Sequence, residues 1–133
     1  MSKKLLLDTH VLVWAIQDTG MLSQPIRKLL TDESVSELLL SSISLWEISK
    51  LVQKKRLELG IDLHQWFDRA LTHPKMRVVE ITSKIAIEST CLPGKFHEDP
   101  ADQIIAATAR VEKSILVTKD QKMRSYSFIE TLW

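Results

Sequence analysis

Asp8, Glu47, Asp102 and Asp120 are acids of the kind that hold a hard cation, and each lies close to a short apolar run. Magnesium and manganese prefer oxygen ligands in octahedral array. Proteins commonly offer them a few carboxylates and leave water in the remaining positions. An ion so held can activate water, orient a phosphodiester and neutralise charge that develops on the phosphate. Anions that converge without a cation repel, and one or more must then take up a proton. Each acid also has an ordinary alternative role. Asp8 can cap a helix, Glu47 can complete a capping box, Asp102 can favour a helix's first turn, and Asp120 can shape a turn. Those roles do not account for the shared position of the acids relative to successive strands. Asp99 stands three residues before Asp102, on the same side if the turn is helical, and ranks as auxiliary.

The elements that must position these acids are short. Leu5–Leu7, Leu38–Leu40, Val78–Ile81 and Ile115–Val117 predict four buried strands, and Phe128–Leu132 a fifth. Helical patterns separate them. Val11–Gln17 follows the first run directly, and Pro25 opens a helix over Ile26–Thr31. A third helix starts at Ser44, with Glu47 three residues on, or nearer Ser41, and runs to about Lys54. It carries Leu45, Ile48 and Val52 on one stripe. Leu63–Leu71, Ser83–Thr90 and Ala101–Lys113 complete the set. Helices between short buried strands predict an α/β chain, with a mainly parallel sheet and helices on both faces. Such sheets bind ligands outside the carboxyl ends of their strands, which is where Asp8 and Asp120 fall.

Composition narrows the classes further. A chain of 133 residues, 44% hydrophobic and 26% charged, predicts one globular domain over residues 1–133. Cys91 is the single cysteine, so no intrachain disulfide can form. Asp8 and His10 interrupt the N-terminal apolar run, which argues against a signal peptide, and no stretch is long and clean enough to span a membrane. The expectation is a cytoplasmic protein. A net charge of +1 does not by itself mark a nucleic-acid binder. Basic residues do cluster at Lys50, Lys54, Lys55 and Arg56, and again at Lys119, Lys122 and Arg124, where they could hold a phosphate backbone. His10, His64, His73 and His97 lack zinc spacing. There is no Gly-rich phosphate loop and no nucleophile elbow. Trp14 and Trp46 neighbour the acids in sequence, and core packing is the first expectation for both.

The stretches LLLDTHVLVWAI, SSISLWEISKL, HEDPADQIIAATAR and ILVTKD resemble the four acidic motifs of PIN-domain proteins, in particular the VapC-type toxins of bacterial toxin–antitoxin pairs. The likeness runs from Leu5 to about Asp120 in the expected order, and DPADQIIAATA is its most specific part. It implies a three-layer α/β/α sandwich and an endoribonuclease dependent on Mg2+ or Mn2+. Its acids would fall on Asp8, Glu47, Asp102 and Asp120, with Asp99 a frequent extra acid. Thr118 and Ser44 match hydroxyl positions that support the acids. Gln103 stands where many relatives carry arginine. The family also implies an RNA substrate, a cognate antitoxin and a homodimer. Two other readings compete: a different metal-dependent phosphohydrolase, and a catalytically silent binding module. The phosphatase pattern with a second aspartate two residues after the first is absent, because Asp8 is followed by Thr9 and His10.

Overall fold

The computed structural model describes residues 3–133. Five strands form one all-parallel sheet: β1 (Lys3–Leu7), β2 (Val35–Ser41), β3 (Met76–Val79), β4 (Ile115–Val117) and β5 (Thr131–Leu132). Their order is β3-β2-β1-β4-β5, so the chain moves outward from β1 in one direction and then resumes on its other side. The helices are α1 (Thr9–Gln17), α2 (Gln24–Leu29), α3 (Ser42–Gln53), α4 (Leu63–Ala70), α5 (Ser83–Ser89), α6 (Pro100–Glu112) and α7 (Gln121–Arg124).

Alternation along the strands makes the three layers. Successive side chains of a strand point to opposite faces, and here both faces are apolar. Leu5, Leu7, Leu38 and Leu40 face one core, with Val11 and Leu12 of α1, Ile26 of α2, Ile48 of α3 and Trp66 of α4. Leu6, Leu39 and Leu116 face the other, with Ile85 of α5, Met123 of α7 and the small-residue face of α6, Ile105 to Ala107 and Ala109. Each fully buried Leu or Ile contributes roughly 1.5–3 kcal/mol. This is the parallel α/β/α arrangement that the sequence predicts.

Boundaries differ where polar groups intervene. α1 begins at Thr9 because Asp8 caps it. Ser41, not Ser44, caps α3 by accepting from the Ile43 amide, so the alternative start nearer Ser41 holds and Glu47 is no capping-box partner. α2 is capped by Ser23 and carries Pro25 in its first turn. β3 lies earlier than expected: Met76 pairs with Leu38, and Ile81 is exposed beyond the sheet. β5 is only two residues long, and before it the Phe128 carbonyl accepts from Arg110 Nη1 at 2.8 Å.

Two glycines take the left-handed backbone region. Gly60 (φ +76°) faces open space, whereas a Cβ on Gly94 (φ +67°) would stand 2.8 Å from the Phe128 ring. Gly60→Ala should lower stability by about 1–2 kcal/mol, the cost of left-handed backbone in a residue with a side chain. Gly94→Ala should lower it by more, because the ring must also move. Denaturant midpoints of the two variants check this, and equal losses would refute the Gly94–Phe128 contact.

Candidate functional site

Asp8 stands at the end of β1, where the strand order reverses between β1 and β4. Its amide donates to the Val117 carbonyl at 3.0 Å, which ties the two strand ends together. One carboxylate oxygen accepts from the Thr9 amide at 2.8 Å, and the other accepts from the Thr118 hydroxyl at 2.6 Å. Thr118 is wholly buried, and its oxygen also accepts from the Asp120 amide at 3.0 Å. One hydroxyl thus fixes the Asp8 side chain and the Asp120 backbone together.

Glu47 arrives from the second turn of α3. The Thr9 hydroxyl lies 2.5 Å from its carboxylate and 2.8 Å from the Ser44 hydroxyl, and Thr9 and Ser44 are both buried. Ser44 therefore supports the site through Thr9. Asp102 sits in the first turn of α6, where Asp99 caps the helix by accepting from the Asp102 amide at 3.0 Å. Asp102 meets His97 Nε2 at 2.7 Å, and Gln103 holds that loop by donating to the His97 carbonyl at 3.1 Å. Asp120 caps α7 through the Lys122 amide. A single cleft of about 450 Å3 is lined by Asp8, Glu47, Asp99, Asp102 and Asp120, together with His10, Trp14 and Lys119.

Sequence reasoning missed Thr9 and His97. A Thr beside a strand-end Asp, and a His five residues before the third acid, were the only signals; the contacts of Thr9 with Ser44 and Glu47 are tertiary, and that of His97 depends on how the loop before α6 folds back. Trp14 is half-buried, packs against Trp133 and opens onto the cleft. Trp46 corrects an expectation: it is 55% exposed, with Lys50 over its ring, because α3 turns this position outward.

The electrostatics of the cleft are one-sided. Burial pushes the Asp8 carboxyl above its usual range, against the hydrogen bonds from Thr118 and Thr9 that lower it. Burial also raises Glu47, reinforced by Asp8 and Asp102 and opposed by Thr9. Asp102 is raised by burial, with His97 opposing and the charges of Asp99 and Asp8 adding to the rise. Among the described residues no Lys or Arg pairs with any of these carboxylates. The donor set is all oxygen, concave and short of positive charge, which fits a hard divalent ion. Among the described residues no three His, Cys, Asp or Glu side chains form a ready-made ligand cage. The acids line the cleft without closing on one point. That suits magnesium, which keeps several of its waters.

The family model described as PIN domain matches residues 5–129. The chain is 36% identical over 121 residues to Ribonuclease VapC22 of Mycobacterium tuberculosis (strain ATCC 25618 / H37Rv), covering 91% of this chain and 90% of that protein. Its fold is similar to that of VapBC2 from Rickettsia felis, solved bound to a DNA fragment from their promoter (TM-score 0.72, 21% identity, 97% of each chain). It is also similar to DNA-bound VapBC from Salmonella typhimurium (TM-score 0.71, 20% identity, 99% of this chain and 98% of that one).

Because the Asp8 carboxyl is raised, the folded chain holds more protons there than the unfolded chain does, between the ordinary aspartate range and the raised value. Its contribution to stability is therefore present at acid pH and is lost as pH rises through that window. Asp8→Asn removes the group. The melting temperature of the variant minus that of the native chain, in chelator, should grow as pH rises from acid to neutral. Manganese should raise the native chain's melting temperature, most strongly at neutral pH, and the variant's much less. A difference independent of pH and of manganese would sink this account of the cleft.

Proposed function

This chain belongs to the PIN-domain family, and from that premise we propose that it is a divalent-metal-dependent endoribonuclease, the toxin of a toxin–antitoxin pair. The observation that carries the reading is the cleft itself: five acids from four separate parts of the chain line one cavity at the carboxyl end of a parallel sheet. Identity of 36% to a protein named as a ribonuclease supports the substrate class.

Asp8, Asp102 and Glu47 would hold a Mg2+ or Mn2+ ion directly or through water, and Asp120 would complete the site, with Asp99 auxiliary. Held there, such an ion would supply Lewis acidity toward the phosphodiester and water and would offset charge on the phosphate. The rest falls to the chain's own groups. Thr118 fixes one oxygen of Asp8, and the Thr9 amide fixes the other. The Thr9 hydroxyl, backed by Ser44, fixes Glu47. His97 fixes Asp102. The carboxylates thus meet the substrate with their orientations already set. Water adds in line to phosphorus, the bond to the 3′-oxygen breaks and that oxygen takes the proton. A 5′-phosphate and a 3′-hydroxyl remain.

The same reading includes an antitoxin partner, a homodimer, one domain over residues 1–133 and residence in the cytoplasm. Solved structures of the same fold are named as VapBC, and one further neighbour, from Klebsiella pneumoniae, is a toxin-antitoxin complex. Among the described residues no helix is long and apolar enough to cross a membrane.

Cleavage of an RNA panel, with manganese or with chelator, tests the proposal. Metal-dependent cuts that disappear in Asp8→Asn support it. Hydrolysis confined to small phosphate esters would select another phosphohydrolase, and binding without turnover a silent module. Thr118→Val, which removes only a supporting hydroxyl, should cost about 10–100-fold in activity or metal affinity. Part of that loss should be recovered by raising the metal concentration, a shift that mere loosening of the fold would not produce.

A further inference from the structure

Beside the carboxylate cleft lies a second groove, of about 360 Å3, that the mechanism does not use. Lys95, Lys122, Ser125 and Ser127 edge it, aromatic rings floor it, and no carboxylate lines it. Its floor is built closely. The Tyr126 hydroxyl donates to the Pro93 carbonyl at 2.5 Å, and Gly94 lets the backbone approach the Phe128 ring. Phe96 stacks on His97 with ring centroids 4.4 Å apart and meets Tyr126 edge-on at 4.8 Å. Lys95 and Lys122 are exposed, and among the described residues neither makes an ion pair.

His97 joins the two cavities. It lines this groove while its Nε2 lies 2.7 Å from Asp102 of the acidic cleft. A strand with one phosphate among the carboxylates must leave that cleft, and its flanking phosphates are repelled by the acids they pass. Positive charge next to the acids, on a surface that already has a fixed shape, meets that need. Solvated lysines need no such floor.

We infer that this groove is a backbone subsite for single-stranded RNA flanking the scissile bond, in which Lys95 and Lys122 each neutralise one phosphate. The inference rests on the reading of the acidic cleft as a ribonuclease site. The exposed Phe128 ring and the half-buried Phe96 beside the lysines suit an unpaired strand better than a duplex, whose bases are not free to stack.

The test uses the full chain carrying Asp8→Asn, in chelator, so that binding is read without turnover. The probe is a labelled twelve-nucleotide single-stranded RNA, titrated at several salt concentrations. Lys95→Ala with Lys122→Ala should weaken binding about tenfold at moderate salt. It should also reduce the slope of log affinity against log salt by roughly 1.4, about 0.7 for each phosphate on a single strand. Lys95→Arg with Lys122→Arg should keep the native affinity and slope. Unchanged affinity and slope in the alanine variant would overturn the inference. So would a loss seen with an acidic peptide and not with RNA, which would assign the groove to a protein partner. The ribonuclease reading fails separately: native protein that binds RNA through these lysines and never cuts it with manganese sinks the catalytic assignment and leaves the subsite standing.

Discussion

The carboxyl end of the sheet is organised by one electrostatic problem, which is how to keep several acids partly out of water when, among the described residues, no Lys or Arg pairs with them and only Asp102 has a histidine beside it. Taking a carboxylate from water costs several kcal/mol. A hydrogen bond to a charged group returns about 1.5–3 kcal/mol. Asp8 receives two such bonds, from the Thr9 amide and the Thr118 hydroxyl, and burial still outweighs them. Glu47 and Asp102 show the same balance, made worse by their neighbours' charges. The local hydrogen bonds orient the acids without neutralising them. What is left over is a demand for positive charge, which the proposed divalent ion would meet through a ligand set of oxygens.

The topology explains why these acids can meet at all. β1 is central, and the strand order turns back between β1 and β4, so the helices that follow the two paired strand ends pack on opposite faces of the sheet and leave a crevice between them. Asp8 follows β1, and Thr118 with Asp120 follows β4. α3 leaves β2 and brings Glu47 in on its second turn, while α6 begins nearby and presents Asp102 in its first. The rest of the fold holds these four starting points in place. Leucines that alternate between two apolar faces make the sheet rigid, and the alanine-rich face of α6 packs into one of those cores.

Much of this was legible because it was local. Short apolar runs separated by helical patterns gave the parallel sheet and its two layers of helices. Asp8 and Asp120 follow such runs, Glu47 falls in the helix after one and Asp102 opens a helix, and all four line the cleft. What could not be read was contact between distant segments. Thr9 reaches Ser44 and Glu47 across 35 and 38 residues, and Thr118 reaches Asp8 across 110. Ser44 had the spacing of a capping box, yet Ser41 caps the helix, which leaves Ser44 to face Thr9. His97 looked like an isolated histidine, because its partner Asp102 lies across a loop and a helix start. Trp46 read as core, since hydrophobicity alone does not say which side of α3 turns away from the sheet.

Charge in this chain is segregated by place, although it nearly balances in sum. A net charge of +1 hides a cleft edged with acids beside a groove edged with lysines. Lys119 lines the acidic cleft but lies over the Trp14 ring and, among the described residues, makes no ion pair with the acids; lysines paired to them would displace the demand for a cation. Lysines set far away would be screened beyond about a Debye length and would not help a polyanion approach. An adjoining position, separated by the His97 side chain, avoids both outcomes. On the proposed reading that arrangement would draw phosphates to the rim and leave the carboxylates free to hold an ion, and neither net charge nor isoelectric point would disclose it.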